Sequence, residues 1–137
     1  MSTAFKILLC AILVVNSLAL FKNSPDYKFY SSGSPTAIKI SSDQSRIIVG
    51  YYDGTVRFYD LNGNFKLSAT NHRYKIIDIE TLSSGYVITL DSNGTAIRWS
   101  TSGSYSSTWY LGSSVTDMTV TSGSYDYVAF NLGSSVQ

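Results

Sequence analysis

The sequence predicts an all-β fold built from repeated four-stranded antiparallel units, an incomplete β-propeller of about two and a half blades behind an N-terminal hydrophobic segment. Past Lys22 no stretch has the apolar periodicity of a helix, and β-branched and aromatic residues come in short runs separated by Gly, Asn, Asp and Ser. Three features recur forty residues apart: Asp53-Gly54-Thr55 returns as Asn93-Gly94-Thr95, Tyr59 as Trp99, and Asn62-Gly63 as Ser102-Gly103. The Asp-Gly and Asn-Gly pairs fall between apolar runs, where a tight hairpin needs the positive φ that Gly and Asn adopt at least cost.

Residues 1–21 are expected to be a signal peptide or a signal anchor. One positive charge precedes the unbroken apolar stretch Ile7–Val15, and the small residues Ser17 and Ala19 follow, with cleavage expected after Ala19. Retention as an anchor is the competing reading, although the run from Ile7 to Phe21 is short of the roughly 20 apolar residues that cross a bilayer core. A buried core helix is the third reading.

Residues 22–35 read as a linker holding one edge strand, Tyr27–Tyr30. The first blade, 36–74, resolves into strands at Thr36–Ser41, Arg46–Tyr51, Thr55–Tyr59 and Asn64–Ala69. The second, 75–114, resolves into Lys75–Thr81, Tyr86–Leu90, Thr95–Ser100 and Ser104–Tyr110. A partial blade, 115–137, supplies Val115–Thr121 and Tyr125–Phe130. A small β-sandwich with similar hairpins is the structural alternative to radially stacked blades.

Composition removes several classes of function. A formal net charge of +1 with only 14% charged residues leaves no basic footprint for nucleic acid. The single cysteine, Cys10, lies inside the hydrophobic run, so disulfides and Cys-based metal sites are excluded from the processed chain. His72 is the only histidine, which excludes metal sites built on paired imidazoles, and no Gly-x-Ser-x-Gly elbow is present to supply a nucleophile. Carboxylates such as Asp43, Asp53 and Asp60 sit in turns, where Asp bonds its own backbone. Asp78 and Glu80 share a strand face at i and i+2, which an exposed face explains without acid–base chemistry. No catalytic residue, metal or cofactor is therefore expected.

Tyr51, Tyr52, Tyr59, Tyr105 and Tyr110, with Trp99 and Trp109, are either blade filling or platforms for sugars and protein partners. Asn93-Gly94-Thr95 is an N-glycosylation sequon on an expected hairpin turn, usable if the chain enters a secretory route.

The stretch Gly50–Asp60 (GYYDGTVRFYD) resembles the strand–turn–strand of WD-repeat propellers that ends in Trp-Asp, with Tyr59 in place of the tryptophan. Asn93–Ser100 (NGTAIRWS) keeps the tryptophan and replaces the aspartate by Ser100. His72 stands where the family places the histidine of its Gly-His pair, and Ile76 and Ile79 follow at apolar positions. The resemblance spans about residues 36 to 131. It implies a buried hydrogen-bonded set of His72, Asp91, Asn93 and Trp99, with Asp91 at the usual hydroxyl position and Asn93 at the usual aspartate position. The first copy has no histidine. Asp53-Gly54 with Asp60, Asn62 and Gly63 is also similar to repeats of quinoprotein-type propellers, but no cluster of basic and carboxylate residues converges on a ring.

Two and a half blades cannot close into a ring, so the chain is expected to be a truncated product, a fragment of a longer gene, or a subunit whose open edges are covered by a protein partner or by self-association. The resulting expectation is a non-enzymatic interaction module, secreted or in the endomembrane lumen, or membrane-anchored if residues 7–21 are retained. A fragment of a secreted propeller enzyme or carbohydrate-binding protein is the alternative.

Overall fold

A computed structural model describes residues 34–121 and 125–133; the expected leader, residues 22–33 of the expected linker and its strand at Tyr27–Tyr30 lie outside the described residues, and Pro35, given to the linker, opens the first strand. Among the described residues there is no helix, and ten strands form three antiparallel sheets of four, four and two strands.

The first sheet is β1 (Pro35–Ile40), β2 (Ile47–Tyr51), β3 (Val56–Tyr59) and β4 (Phe65–Ala69), paired in chain order. The second sheet, β5 (Ile76–Thr81), β6 (Tyr86–Asp91), β7 (Thr95–Ser100) and β8 (Tyr105–Tyr110), repeats that order. Equivalent pairs confirm the forty-residue period: Ile47 faces Tyr59 as Val87 faces Trp99, and Val49 faces Arg57 as Thr89 faces Ile97. The turns expected from Asp-Gly and Asn-Gly are present, with Gly54 at φ 84° and Gly94 at φ 74°.

The third sheet pairs β9 (Val115–Val120) with β10 (Val128–Leu132). Sequence reading placed the last strand at Tyr125–Phe130, whereas the ladder begins only at Val128, opposite Val120. The Asp126 carboxylate accounts for the shift. It accepts the backbone N–H groups of Ser83 (3.0 Å) and Ser84 (3.2 Å) in the β5–β6 turn, pinning this loop to the neighbouring sheet.

Alternation along the central strands decides how the sheets stack. Val87, Ile97 and Trp99 of the second sheet pack with Ile48, Val56 and Phe58 of the first. Ile88, Leu90 and Ala96 point the other way and pack with Val115 and Met118 of the third. A strand buried on both faces reads as a near-continuous apolar run, and β6 (YVITLD), buried from Val87 on, is one apart from Thr89 and Asp91. Full burial of each such side chain contributes about 1.5–3 kcal/mol. The sheets come closest at β1, β5 and β9, where Thr36 Oγ1 donates to the Ile76 carbonyl at 2.6 Å and Met118 N–H donates to Asp78 Oδ2 at 3.2 Å. Gly50 in β2 makes this approach possible, because a Cβ there would sit 2.7 Å from the Ile76 Cβ.

Candidate functional site

The second sheet holds a buried polar set in an otherwise apolar stack. β6 carries Thr89 and Asp91 two residues apart on one face, β7 brings Trp99 alongside, and the β4–β5 connection delivers His72. The indole N–H of Trp99 donates to Thr89 Oγ1 at 2.8 Å. His72 Nε2 lies 2.7 Å from the same hydroxyl, and His72 Nδ1 lies 3.0 Å from Asp91 Oδ2. Every group is satisfied when His72 is neutral with its proton on Nδ1: Trp99 donates to Thr89, Thr89 to Nε2, and Nδ1–H to Asp91. The other carboxylate oxygen, Asp91 Oδ1, accepts the backbone N–H groups of Asn93 (3.0 Å) and Thr95 (2.9 Å), closing the β6–β7 turn.

The resemblance had placed the hydroxyl member at Asp91 and the carboxylate member at Asn93. Both positions move back by two residues, so Thr89 supplies the hydroxyl and Asp91 the carboxylate. Asn93 contributes only its backbone N–H, and its side chain is exposed on the turn. Thr89 escaped sequence reading because a β-branched residue inside VITL, though the only one there with a hydroxyl, looks like core filling. The available signal was parity, since Thr89 shares a strand face with Asp91.

Burial pushes His72 below the ordinary imidazole range, with the Asp91 hydrogen bond and charge opposing that shift. The one hydroxyl beside this neutral imidazole, Thr89 Oγ1, is sealed from solvent at 0% exposure and also accepts the Trp99 N–H, so the geometry offers a substrate no approach to it. The set ties β6, β7 and the β4–β5 connection together. The carbonyl of His72 lies beneath the first sheet's Gly54, where a Cβ would come within 2.7 Å, so the histidine also seats one sheet on the next.

Asp78 and Glu80 are on β5, as expected, but each has a structural partner. Glu80 pairs with Lys39 of β1 at 2.6 Å. Burial raises the Asp78 carboxyl above its usual range despite the N–H groups of Ile79 and Met118, with the charges of Glu80 and Asp117 adding to the rise. Among the described residues no group of three or more His, Cys, Asp or Glu is placed to hold a metal ion.

Directly above the buried set is an open cleft of about 550 Å³. The β4–β5 connection contributes Asn71, Arg73 and Tyr74 to its lining, and β8 contributes Tyr105, Thr108 and Tyr110. Asp91 of β6, Asn93 of the β6–β7 turn, and Thr95 and Ile97 of β7 complete it. Tyr105 edges against Trp99 with ring centroids 6.3 Å apart and is still 55% exposed, so it joins the core to the cleft wall. Of the aromatic residues considered as platforms, Tyr105 and Tyr110 line the cleft, whereas Tyr51, Tyr59 and Trp99 are buried.

No family model and no curated protein sequence matches the chain. Among solved structures it is similar to the C-terminal WD40 domain of Sif2, with a TM-score of 0.56 and 22% identity over 76% of this chain. The match covers 33% of the Sif2 domain, so the chain spans about a third of that structure's length. Sheet order, repeat spacing and structural likeness agree: the fold is that of a WD40-type β-propeller, represented among the described residues by two four-stranded blades and two strands of a third.

Proposed function

We propose that this chain is a non-enzymatic interaction module whose open blade edges hold a protein, either a partner or a second copy of itself. The supporting observation is the third sheet. Among the described residues β10 pairs only with β9, so its other edge presents backbone N–H and C=O groups that another strand can satisfy. Its sequence, VAFNL, has no charged residue, and Leu132 beside that edge is 60% exposed. Tyr125 and Tyr127 stand exposed in the adjoining loop, offering aromatic area of the kind that anchors protein interfaces.

The burial of the Thr89 hydroxyl that meets His72, at 0% exposure, favours binding over catalysis in this reading. A secretory location belongs to the same proposal and rests on the apolar run Ile7–Val15 alone. In that compartment Asn93, exposed on its turn, is an N-glycan acceptor.

Light scattering of the full chain tests the proposal. The expected result is a dimer or larger species, or a monomer that becomes a defined complex with a partner recovered from its source. Leu132→Lys places a charge beside the open edge and is expected to abolish the association without changing the melting temperature. A compact, monodisperse monomer that recruits nothing overturns the proposal.

A further inference from the structure

The cleft above the second blade has the wrong chemistry for a hydrophobic anchor. Its apolar floor, Ile97, is only 2% exposed, so little apolar surface remains to be covered. It is also poorly suited to an anion, because Arg73 is its one cation and the Asp91 carboxylate stands in the same lining. The Asp91 carboxylate is already engaged by His72 and two backbone N–H groups.

Several of the remaining groups are uncommitted. The side chains of Asn71, Arg73, Asn93 and Thr95 make no hydrogen bond or ion pair among the described residues. The two amides and the hydroxyl can each donate and accept, which suits a ligand whose own groups do both. Two tyrosines share the lining, Tyr74 of the β4–β5 connection at 50% exposure and Tyr110 of β8 at 84%. Exposed aromatic faces flanking neutral donor–acceptor groups complement a molecule with hydroxyls at its edges and C–H groups on its faces.

We propose that this cleft binds a neutral oligosaccharide, with Tyr110 stacking on a sugar ring and Asn71, Arg73 and Asn93 bonding its hydroxyls. Its volume of about 550 Å³ suits such a ligand. Asp91 is the only carboxylate in the lining, whereas glycoside hydrolysis ordinarily needs a pair, so the site holds sugar without cleaving it. This inference is independent of the β10 edge and stands or falls separately from it.

The test is an NMR titration of the isotope-labelled full chain with cellobiose, maltose, mannobiose and chitobiose at millimolar concentration. At least one sugar is expected to shift the amide signals of Arg73, Asn93 and Tyr110 in a saturable way. Tyr110→Ala and Asn71→Ala, both at exposed positions, are each expected to weaken binding by roughly five- to tenfold at an unchanged melting temperature. Tyr125→Ala, outside the cleft, is expected to leave it unchanged. The active sugar coupled to albumin separates two sources of ligand: tighter retention than for the free disaccharide identifies a glycoprotein glycan, and equal affinity identifies a free oligosaccharide. Absence of shifts with all four sugars, or undiminished binding by both cleft variants, overturns the inference. Loss of self-association in Leu132→Lys with sugar binding intact shows that the two surfaces are separate.

Discussion

The first and second blades share strand order and spacing, but their centres are held together differently. In the second blade Trp99, Thr89, His72 and Asp91 form a hydrogen-bonded relay across two strands and a connection. At the equivalent positions of the first blade, Tyr59 replaces Trp99, Val49 replaces Thr89 and Tyr51 replaces Asp91. There the two phenolic oxygens meet at 3.2 Å, and Arg57 lies over the Tyr51 ring, 4.8 Å from its centroid. Turn chemistry changes in step. Asp91 closes the β6–β7 turn from the strand end, whereas in the first blade Asp53, two residues further on, accepts the Thr55 N–H at 2.9 Å. One backbone thus accepts two solutions, provided that each buried polar atom is satisfied within its own set.

The comparison is most easily broken at Trp99, the largest fully buried side chain. Trp99→Ala removes contacts with Phe58 across the blade interface as well as the indole N–H. It is expected to cost about 3–5 kcal/mol in urea unfolding, enough to unfold a marginal domain. Thr89→Val separates polar satisfaction from volume. It keeps the shape but strands the Trp99 N–H and the His72 ring nitrogen in a site with 0% exposure at residue 89. A loss of about 1–3 kcal/mol is expected, and an unchanged unfolding midpoint would show that the relay contributes nothing to stability.

Gly50→Ala probes the interface instead of the relay. The added methyl meets the Ile76 side chain at a position with no room to retreat, so overpacking of about 1–3 kcal/mol is expected. The same substitution at Gly85 meets no atom within 4 Å and costs only its positive φ.

Acidification distinguishes the blades without mutation, because only the second has a histidine. Burial lowers the folded pKa of His72 below the unfolded value of 6.5. Between those two values the unfolded chain binds more protons, so stability rises with pH across that window. The contribution is complete above about pH 6.5 and is lost as the pH falls through the folded pKa. Urea midpoints measured from neutral pH downwards should decline more steeply for the wild-type chain than for His72→Gln. Parallel curves would mean that the imidazole is not held neutral.

The blades were legible in sequence because tight turns need Gly or Asn and those residues recur at a fixed spacing. Strand limits follow within about a residue until Tyr125, where the ladder yields to an interaction forty-odd positions away, between Asp126 and Ser83. His72 and Trp99 were legible as singular residues. Thr89 was not, since its hydroxyl matters only through partners on another strand and another connection. The cleft was hidden for the same reason: Asn71 and Tyr110 are ordinary surface residues until the fold brings the β4–β5 connection and β8 to one cleft.

The smallest expected effect is the most local, and it compares the first hairpin of each blade. In both, a backbone N–H at the turn bonds back to the strand end: Gln44 to the Ser41 carbonyl at 2.8 Å, and Gly85 to the Leu82 carbonyl at 3.0 Å. Gln44 therefore occupies a left-handed conformation, φ 54°, where its counterpart is glycine at φ 83°. That conformation costs an L-residue roughly 1–2 kcal/mol, and glycine gives part of it back through its greater entropy loss on folding. Gln44→Gly is accordingly expected to stabilise the chain by about 0.5–1 kcal/mol, and Gly85→Gln to destabilise it by a similar amount. The first turn has its own brace, because Asp43 Oδ1 accepts hydrogen bonds from the Ser41 hydroxyl and from both the N–H and the hydroxyl of Ser45. These bonds, led by that from Ser41, hold the Asp43 carboxyl below the usual range. If Gln44→Gly gives no gain in melting temperature while Gly85→Gln still costs, the brace has already absorbed the strain, and the asymmetry between the blades extends from their buried centres to their turns.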